Sequence, residues 1–322
     1  MARQGKQTGH FHLPHSVHRS AYGTIAIPAC ILANGEGPTV LLTGGVHGDE
    51  YEGQLALGRL ARELNAADVR GRLIILPSLN LPAALASTRT SPLDGQNLNR
   101  IFPGDCDGTP SEQIAYFIET VLAPITNVWF DYHSGGSSLD YLPLVAAHHS
   151  RDAAINTKTT ALLEAFGGPL SLVWEFFDEP RMAKSCAERN EIIFITSELG
   201  GGGSVNQEGL RLCYEGTRRA LVSLDVLEVS GISARDPHAT KRLFVRNRDD
   251  NLYATDSGVF NPLIPLGRQV KAGEKIGEIV SLDDLSNPPS PQFAVNEGMI
   301  VCLRHMALVQ RGDCIAQMAG SA

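Results

Sequence analysis

The stretch Leu41-Leu42-Thr43-Gly44-Gly45-Val46-His47-Gly48-Asp49-Glu50-Tyr51-Glu52-Gly53-Gln54 reads as a buried strand, a glycine turn and the first turn of a helix. Val40 to Thr43 is apolar and β-prone, and Gly44-Gly45 ends it with a backbone free to turn sharply. Leu55, Leu57, Leu60, Ala61 and Leu64 follow at near-helical spacing, which predicts a helix over about residues 50–64. His47 and Glu50 stand three residues apart where that helix begins. An imidazole and a carboxylate on a tight turn after a buried strand are two of the three protein ligands that a hydrolytic zinc requires.

Outward from this turn, Ile25–Leu32, Arg72–Leu79, Val128–Tyr132, Tyr141–Ala147 and Ile192–Thr196 read as strands, and residues 152–166, 181–190 and 206–228 as helices. Ser111–Val121 reads as a helix with Ser111 as its cap. Continuous apolar strands alternating with helices predict an α/β domain with a mixed, mainly parallel central sheet. Residues 1–20 carry His10, His12, His15 and His18 without a nearby acid or cysteine, and read as a solvated arm. A Gly, Ser, Asp and Pro cluster over Ser230–Lys241 marks a boundary, and beyond it short β-like segments alternate with turns. The expected organisation is therefore an arm over 1–20, a catalytic domain over 21–235 and an all-β domain over 240–322.

The third metal ligand should come from another strand end on the same sheet edge. His133 closes Val128–Tyr132 and meets that condition. Asp131, two residues earlier on the same strand face, can orient a ligand imidazole, although a strand-end ion pair is an equal alternative. A general base off the metal is also needed. Glu198 ends Ile192–Thr196 and precedes Gly200–Gly203, a run expected to leave room for substrate. The long polar loop over 80–109 supplies Arg89, Asn99 and Arg100 as candidates for a carboxylate clamp.

Gly44-Gly45-Val46-His47-Gly48-Asp49-Glu50, Asn97-Leu98-Asn99-Arg100, Asp131-Tyr132-His133-Ser134 and Ser197-Glu198-Leu199-Gly200 together resemble the succinylglutamate desuccinylase/aspartoacylase family, relatives of the zinc carboxypeptidases. The resemblance covers roughly residues 20–230. It implies a zinc-carboxypeptidase-like three-layer fold and one zinc ion on His47, Glu50 and His133. It implies Glu198 as base and proton shuttle, Arg89 polarising the scissile carbonyl, and Asn99 with Arg100 gripping a substrate carboxylate. Asn97 departs from the aspartate common at this position, a change expected to affect the bracing of the loop and not the ligands. Within the family, the matches over residues 44–53, 90–104 and 196–204 are most similar to the branch that deacetylates N-alpha-acetyl-L-2,4-diaminobutyrate in ectoine degradation. For such a substrate an acid among Glu175, Asp178 and Glu179 is the expected receptor of the side-chain amine, with an exposed acidic loop as the alternative.

The C-terminal segment resembles a biotinyl/lipoyl-type barrel-sandwich, with Gly258-Val259-Phe260 and Val270–Glu274 in one half and Asn296-Glu297-Gly298 and Val309–Asp313 in the other. Residues 285–303 contain no lysine, so no lipoyl or biotin attachment is expected. This module should pack on the catalytic domain and narrow its entrance.

A net charge of -8 without a basic run argues against a nucleic-acid partner. The longest apolar runs fall far short of a membrane span. Six scattered cysteines without a CxxC pair and an N-terminus without an apolar core point to a cytoplasmic protein. The partner is then a small N-acyl amino acid, and a homo-oligomer is compatible with the sequence. The function expected is hydrolysis of a linear amide by a zinc-dependent deacylase. The alternatives are succinylglutamate desuccinylase or aspartoacylase activity, a zinc carboxypeptidase acting on peptides, and a non-catalytic binding protein on a hydrolase fold.

Overall fold

The computed structural model describes residues 3–175, 179–228, 240–284 and 286–321. In chain order the first part comprises β1 (Gly5–Pro14), β2 (Thr24–Asn34), β3 (Thr39–Gly44), α1 (Tyr51–Glu63), β4 (Gly71–Leu76), α2 (Leu81–Ala86), α3 (Pro110–Phe117), β5 (Val128–His133), β6 (Leu139–Tyr141), β7 (Leu144–His148), α4 (Ala153–Phe166), β8 (Leu170–Trp174), α5 (Ala183–Arg189), β9 (Ile193–Glu198) and α6 (Gln207–Ser223). The second part comprises β10 (Lys241–Val245), β11 (Asn251–Tyr253), β12 (Gly258–Pro262), β13 (Gln269–Val270), β14 (Lys275–Val280), β15 (Ser290–Phe293), β16 (Gly298–Arg304), β17 (Leu308–Val309) and β18 (Cys314–Ser321).

The centre of the large sheet is the parallel set β4-β3-β5-β9. Every residue of β3 and β5 is buried, as expected of strands covered on both faces. Alternation along β3 divides the core. Val40 and Leu42 pack with Leu57 and Leu60 of α1, Phe166 of α4 and Leu212 of α6. Leu41 points the other way, with Ile114 of α3 and Cys186 of α5. The result is the expected three-layer α/β architecture.

Three local expectations are corrected. Residues 5–14 are not a solvated arm: they form β1, paired antiparallel with β2 along their length. Phe11 and Leu13 pack against the core, and the Phe11 ring lies 4.9 Å from that of Phe117, while His10 and His12 face outward. Helix α3 is capped by Thr109, not Ser111. Glu112 closes the capping box onto the Thr109 N–H at 2.7 Å, and Ser111 instead bonds Asp94. The Tyr141–Ala147 segment divides into β6 and β7, which join different partners.

The C-terminal part contains an antiparallel four-stranded sheet, β15-β14-β12-β17, packed over Phe260, Ile276, Ile279, Ile300 and Met318. The large sheet nevertheless continues past residue 240. β10 pairs parallel with β8, and β18 and β16 follow it in the same sheet. β16 also pairs with β6, just beyond His133. The C-terminal strands are thus fastened to the loop that follows a candidate ligand. Among the described residues, no helix is long and apolar enough to cross a membrane.

Candidate active site

The register of three neighbouring strands builds the site. Thr43 of β3 lies beside Asp131 of β5, and His133 of β5 lies beside Glu198 of β9. The turn after β3 therefore opens beside the ends of β5 and β9. Gly45, at φ +64, makes the left-handed turn that directs His47 and Glu50 over this edge. Ligand atoms of His47, Glu50 and His133 lie within 4.8 Å of one another, and all three residues are buried.

Each histidine is held by its far nitrogen. His133 Nε2 lies 2.9 Å from Asp131 Oδ2, and His47 Nε2 lies 3.0 Å from Asn97 Oδ1. Asp131 is fixed in turn, because Thr43 Oγ1 donates to its Oδ1 at 2.6 Å and Trp129 Nε1 donates to Thr43 at 2.7 Å. The Asn97 carbonyl also accepts from Asn99 N–H at 2.9 Å, which sets the orientation of its amide. Asn97 therefore braces the candidate ligand His47 directly, and not merely its own loop as expected. With acceptors at both Nε2 atoms, the protons belong there and the Nδ1 lone pairs face Glu50.

Those Nδ1 atoms lie 2.8 Å from Glu50 Oε1 and Oε2. Lone pairs opposed to carboxylate oxygens need a positive charge between them. Burial pushes the His47 pKa below its ordinary value, so a second proton on that ring is disfavoured. Burial also works against charge on His133, but the Asp131 and Glu50 carboxylates outweigh it and raise that pKa well above normal. Without a cation its Nδ1 therefore carries a proton toward Glu50, and a divalent ion would take that proton's place. Two imidazole nitrogens and one carboxylate, each with its outer partner in place, fit a divalent zinc-type ion as the source of that charge.

Around this centre is a cavity of about 290 Å³, lined by Arg89, Asn99, Arg100 and Glu198 as well as the three ligand candidates. Glu198 Oε2 is buried and makes no hydrogen bond. Burial, reinforced by Glu50, pushes its pKa up to about 8 despite opposing effects of His133 and Arg89. Arg89 Nη1 donates to Glu50 Oε1 at 3.3 Å from a half-exposed position. Arg100 donates to the Asn99 carbonyl at 2.7 Å, and burial lowers its pKa. Asn99 Oδ1 accepts from Ala183 N–H at 2.8 Å, at the start of α5. That leaves the Asn99 NH2 group as its donor toward a ligand.

The structure does not bring Glu175 or Glu179 to the cavity as expected. Glu175 pairs with Arg246 at 3.7 Å, Glu179 pairs with Arg181 at 3.0 Å, and neither lines the cavity. Asp178 lies outside the described residues. The glycine run is also corrected. A Cβ on Gly201 would lie 2.0 Å from the Leu139 carbonyl, and Gly200 O accepts from Gly135 N–H at 2.8 Å. These glycines let the loop after β9 press against the loop after His133, so they do not open space for substrate.

Other wall residues were not foreseen. They include His148 and Lys184 from the catalytic part, and Asn251, Cys314 and Gln317 from β11 and β18. His148 stacks on Trp174 at 4.9 Å, and Lys184 pairs with Glu188 at 3.2 Å. No local motif marks the C-terminal three. Their role depends on β16 and β18 returning to the catalytic sheet.

Residues 36–224 match the model of the succinylglutamate desuccinylase/aspartoacylase catalytic domain. The chain belongs to this family. It is 38% identical over 317 residues to an N-alpha-acetyl-L-2,4-diaminobutyric acid deacetylase of Halomonas elongata, covering 98% of this chain and 92% of the relative. A product-bound structure of the ectoine utilization protein EutE from Ruegeria pomeroyi matches with a TM-score of 0.94 and 37% identity, over 99% of this chain and 96% of that one. A succinylglutamate desuccinylase/aspartoacylase from Rhodobacter sphaeroides matches with a TM-score of 0.92 and 38% identity, over 100% and 97% of the two chains. The family and these relatives identify the chain as an amidohydrolase of the N-acyl amino acid deacylase type.

Proposed function

We propose that the chain is a zinc-dependent deacetylase acting on N-alpha-acetyl-L-2,4-diaminobutyrate, with a place in ectoine degradation. The observation that carries the chemistry is the pairing of His133 with Glu198 across adjacent strand ends. It sets a carboxylate with a buried, unpartnered oxygen in the same cavity as a His-Glu-His ligand set. The substrate is read from the relative that covers nearly the whole chain.

His47, Glu50 and His133 would hold the zinc. When bound, zinc supplies Lewis acidity and lowers the pKa of water. Glu198 takes the proton from the attacking water and returns it to the leaving amine. Arg89 donates to the carbonyl oxygen as negative charge develops there. Arg100 and the Asn99 amide hold the substrate carboxylate and so fix the scissile bond. The cavity is small and partly walled by C-terminal strands, which favours a free amino-acid derivative over a peptide. Six free cysteines accord with a reducing, cytoplasmic compartment.

The test is amine release across N-acetyl, N-succinyl and N-formyl amino acids and a set of dipeptides. N-alpha-acetyl-L-2,4-diaminobutyrate should have the highest kcat/KM. Preference for a succinyl substrate or for dipeptides would overturn the assignment.

A further inference from the structure

We propose that Gln317 of β18 recognises the substrate's side-chain amine and that Asn251 of β11 is its positioning residue. This rests on the deacetylase reading and adds a receptor for the amine. The two residues are register partners, and both line the cavity. Gln317 Nε2 donates to Asn251 Oδ1 at 2.6 Å, which fixes the side chain. Gln317 is 6% exposed, and its Oε1 is buried without a hydrogen-bond partner. A buried amide oxygen left unpaired is costly and calls for a ligand.

The rest of the wall narrows what that ligand can be. Arg89, Arg100 and Lys184 suit a carboxylate and repel an ammonium group. The carboxylates of Glu50 and Asp131 are engaged with the histidines, and Glu198 is assigned to proton transfer. Gln317 Oε1, buried without a partner of its own, is a neutral acceptor able to take a charge-assisted hydrogen bond from an ammonium. A neutral amide does so without adding another carboxylate beside Glu50, Asp131 and Glu198. The substrate class is an N-acyl amino acid whose short side chain ends in a primary amine.

The test compares N-alpha-acetyl-L-2,4-diaminobutyrate with N-acetyl-L-norvaline, in which a methyl group replaces the amine. In Gln317→Leu, KM for the amine substrate should rise about tenfold or more, the loss of one charge-assisted hydrogen bond, with kcat little changed. The norvaline substrate leaves the Gln317 oxygen unpaired in wild type and should be used no less well by the variant, so selectivity collapses. Calorimetry should find weaker binding of the product 2,4-diaminobutyrate and no weaker binding of norvaline. Asn251→Ala should shift selectivity the same way by a smaller factor. Should Gln317→Leu not fold, Gln317→Met carries the same expectation. A variant that retains the wild-type selectivity overturns the role of Gln317 alone. A wild-type enzyme with no preference for the amine overturns both this role and the substrate assignment.

Discussion

The ends of β3, β5 and β9 and the strands β11 and β18 face one cavity, but they hold their side chains differently. On the strand ends the histidine of the candidate metal site has a chain of support. Trp129 holds Thr43, Thr43 holds Asp131, and Asp131 holds His133. On the C-terminal wall the support is a single bond from Gln317 to Asn251. The first arrangement suits a metal, whose ligands must keep a fixed geometry. The second suits recognition of a side chain, where one contact discriminates between substrates. On this account chemistry and specificity come from distant parts of the chain, Glu198 and Gln317 standing 119 residues apart.

The sharpest way to break this comparison is to remove a ligand. His47→Ala and His133→Ala should each lose stoichiometric zinc and all measurable turnover, as read by elemental analysis and amine release. Retention of both zinc and activity in either variant would remove that histidine from the metal site. A smaller effect should follow from the braces. Asp131→Asn and Asn97→Ala should each weaken zinc affinity by about 10–100-fold, measured by chelator competition. Equal affinity to wild type would reduce the hydrogen-bond chain to simple packing.

Arg100→Lys keeps the charge but loses the planar fork. It should lower kcat/KM about tenfold, consistent with one charge-assisted hydrogen bond lost. An unchanged kcat/KM would take the carboxylate away from Arg100. A last effect concerns stability and leaves turnover aside. Burial lowers the His148 pKa to about 3, against an ordinary value near 6.5. The unfolded chain therefore takes up a proton that the folded chain refuses, and stability falls as pH drops through about 6.5 toward 3. Between pH 8 and 5 this amounts to about 2 kcal/mol. Unfolding free energies from urea titrations at pH 8 and pH 5 should fall further in wild type than in His148→Gln by that amount. Parallel curves would show that His148 is not held neutral.

How legible each half was in the sequence follows from the range of the contacts. Val40–Thr43, Gly44-Gly45 and the His47–Glu50 spacing are local, so periodicity and turn chemistry sufficed to read them. Glu198 was readable because it ends an apolar strand. Gln317 was not, since its neighbours mark only a strand, and the pairing that brings it to the cavity joins distant segments. β1 was hidden for a related reason. Its polar residues face solvent, and only Phe11 and Leu13 report an edge strand against the core. The glycines after Glu198 were read as space because the loop that fills it, Gly135–Leu139, approaches from elsewhere in the chain.

Replacement of Glu198 by glutamine tests the central claim most directly, because it preserves size and removes the proton acceptor. The prediction for Glu198→Gln is one zinc per chain, as in wild type, with kcat reduced by about 10²–10⁴. A variant that keeps wild-type turnover, or that loses its zinc along with its activity, would contradict Glu198 as the base.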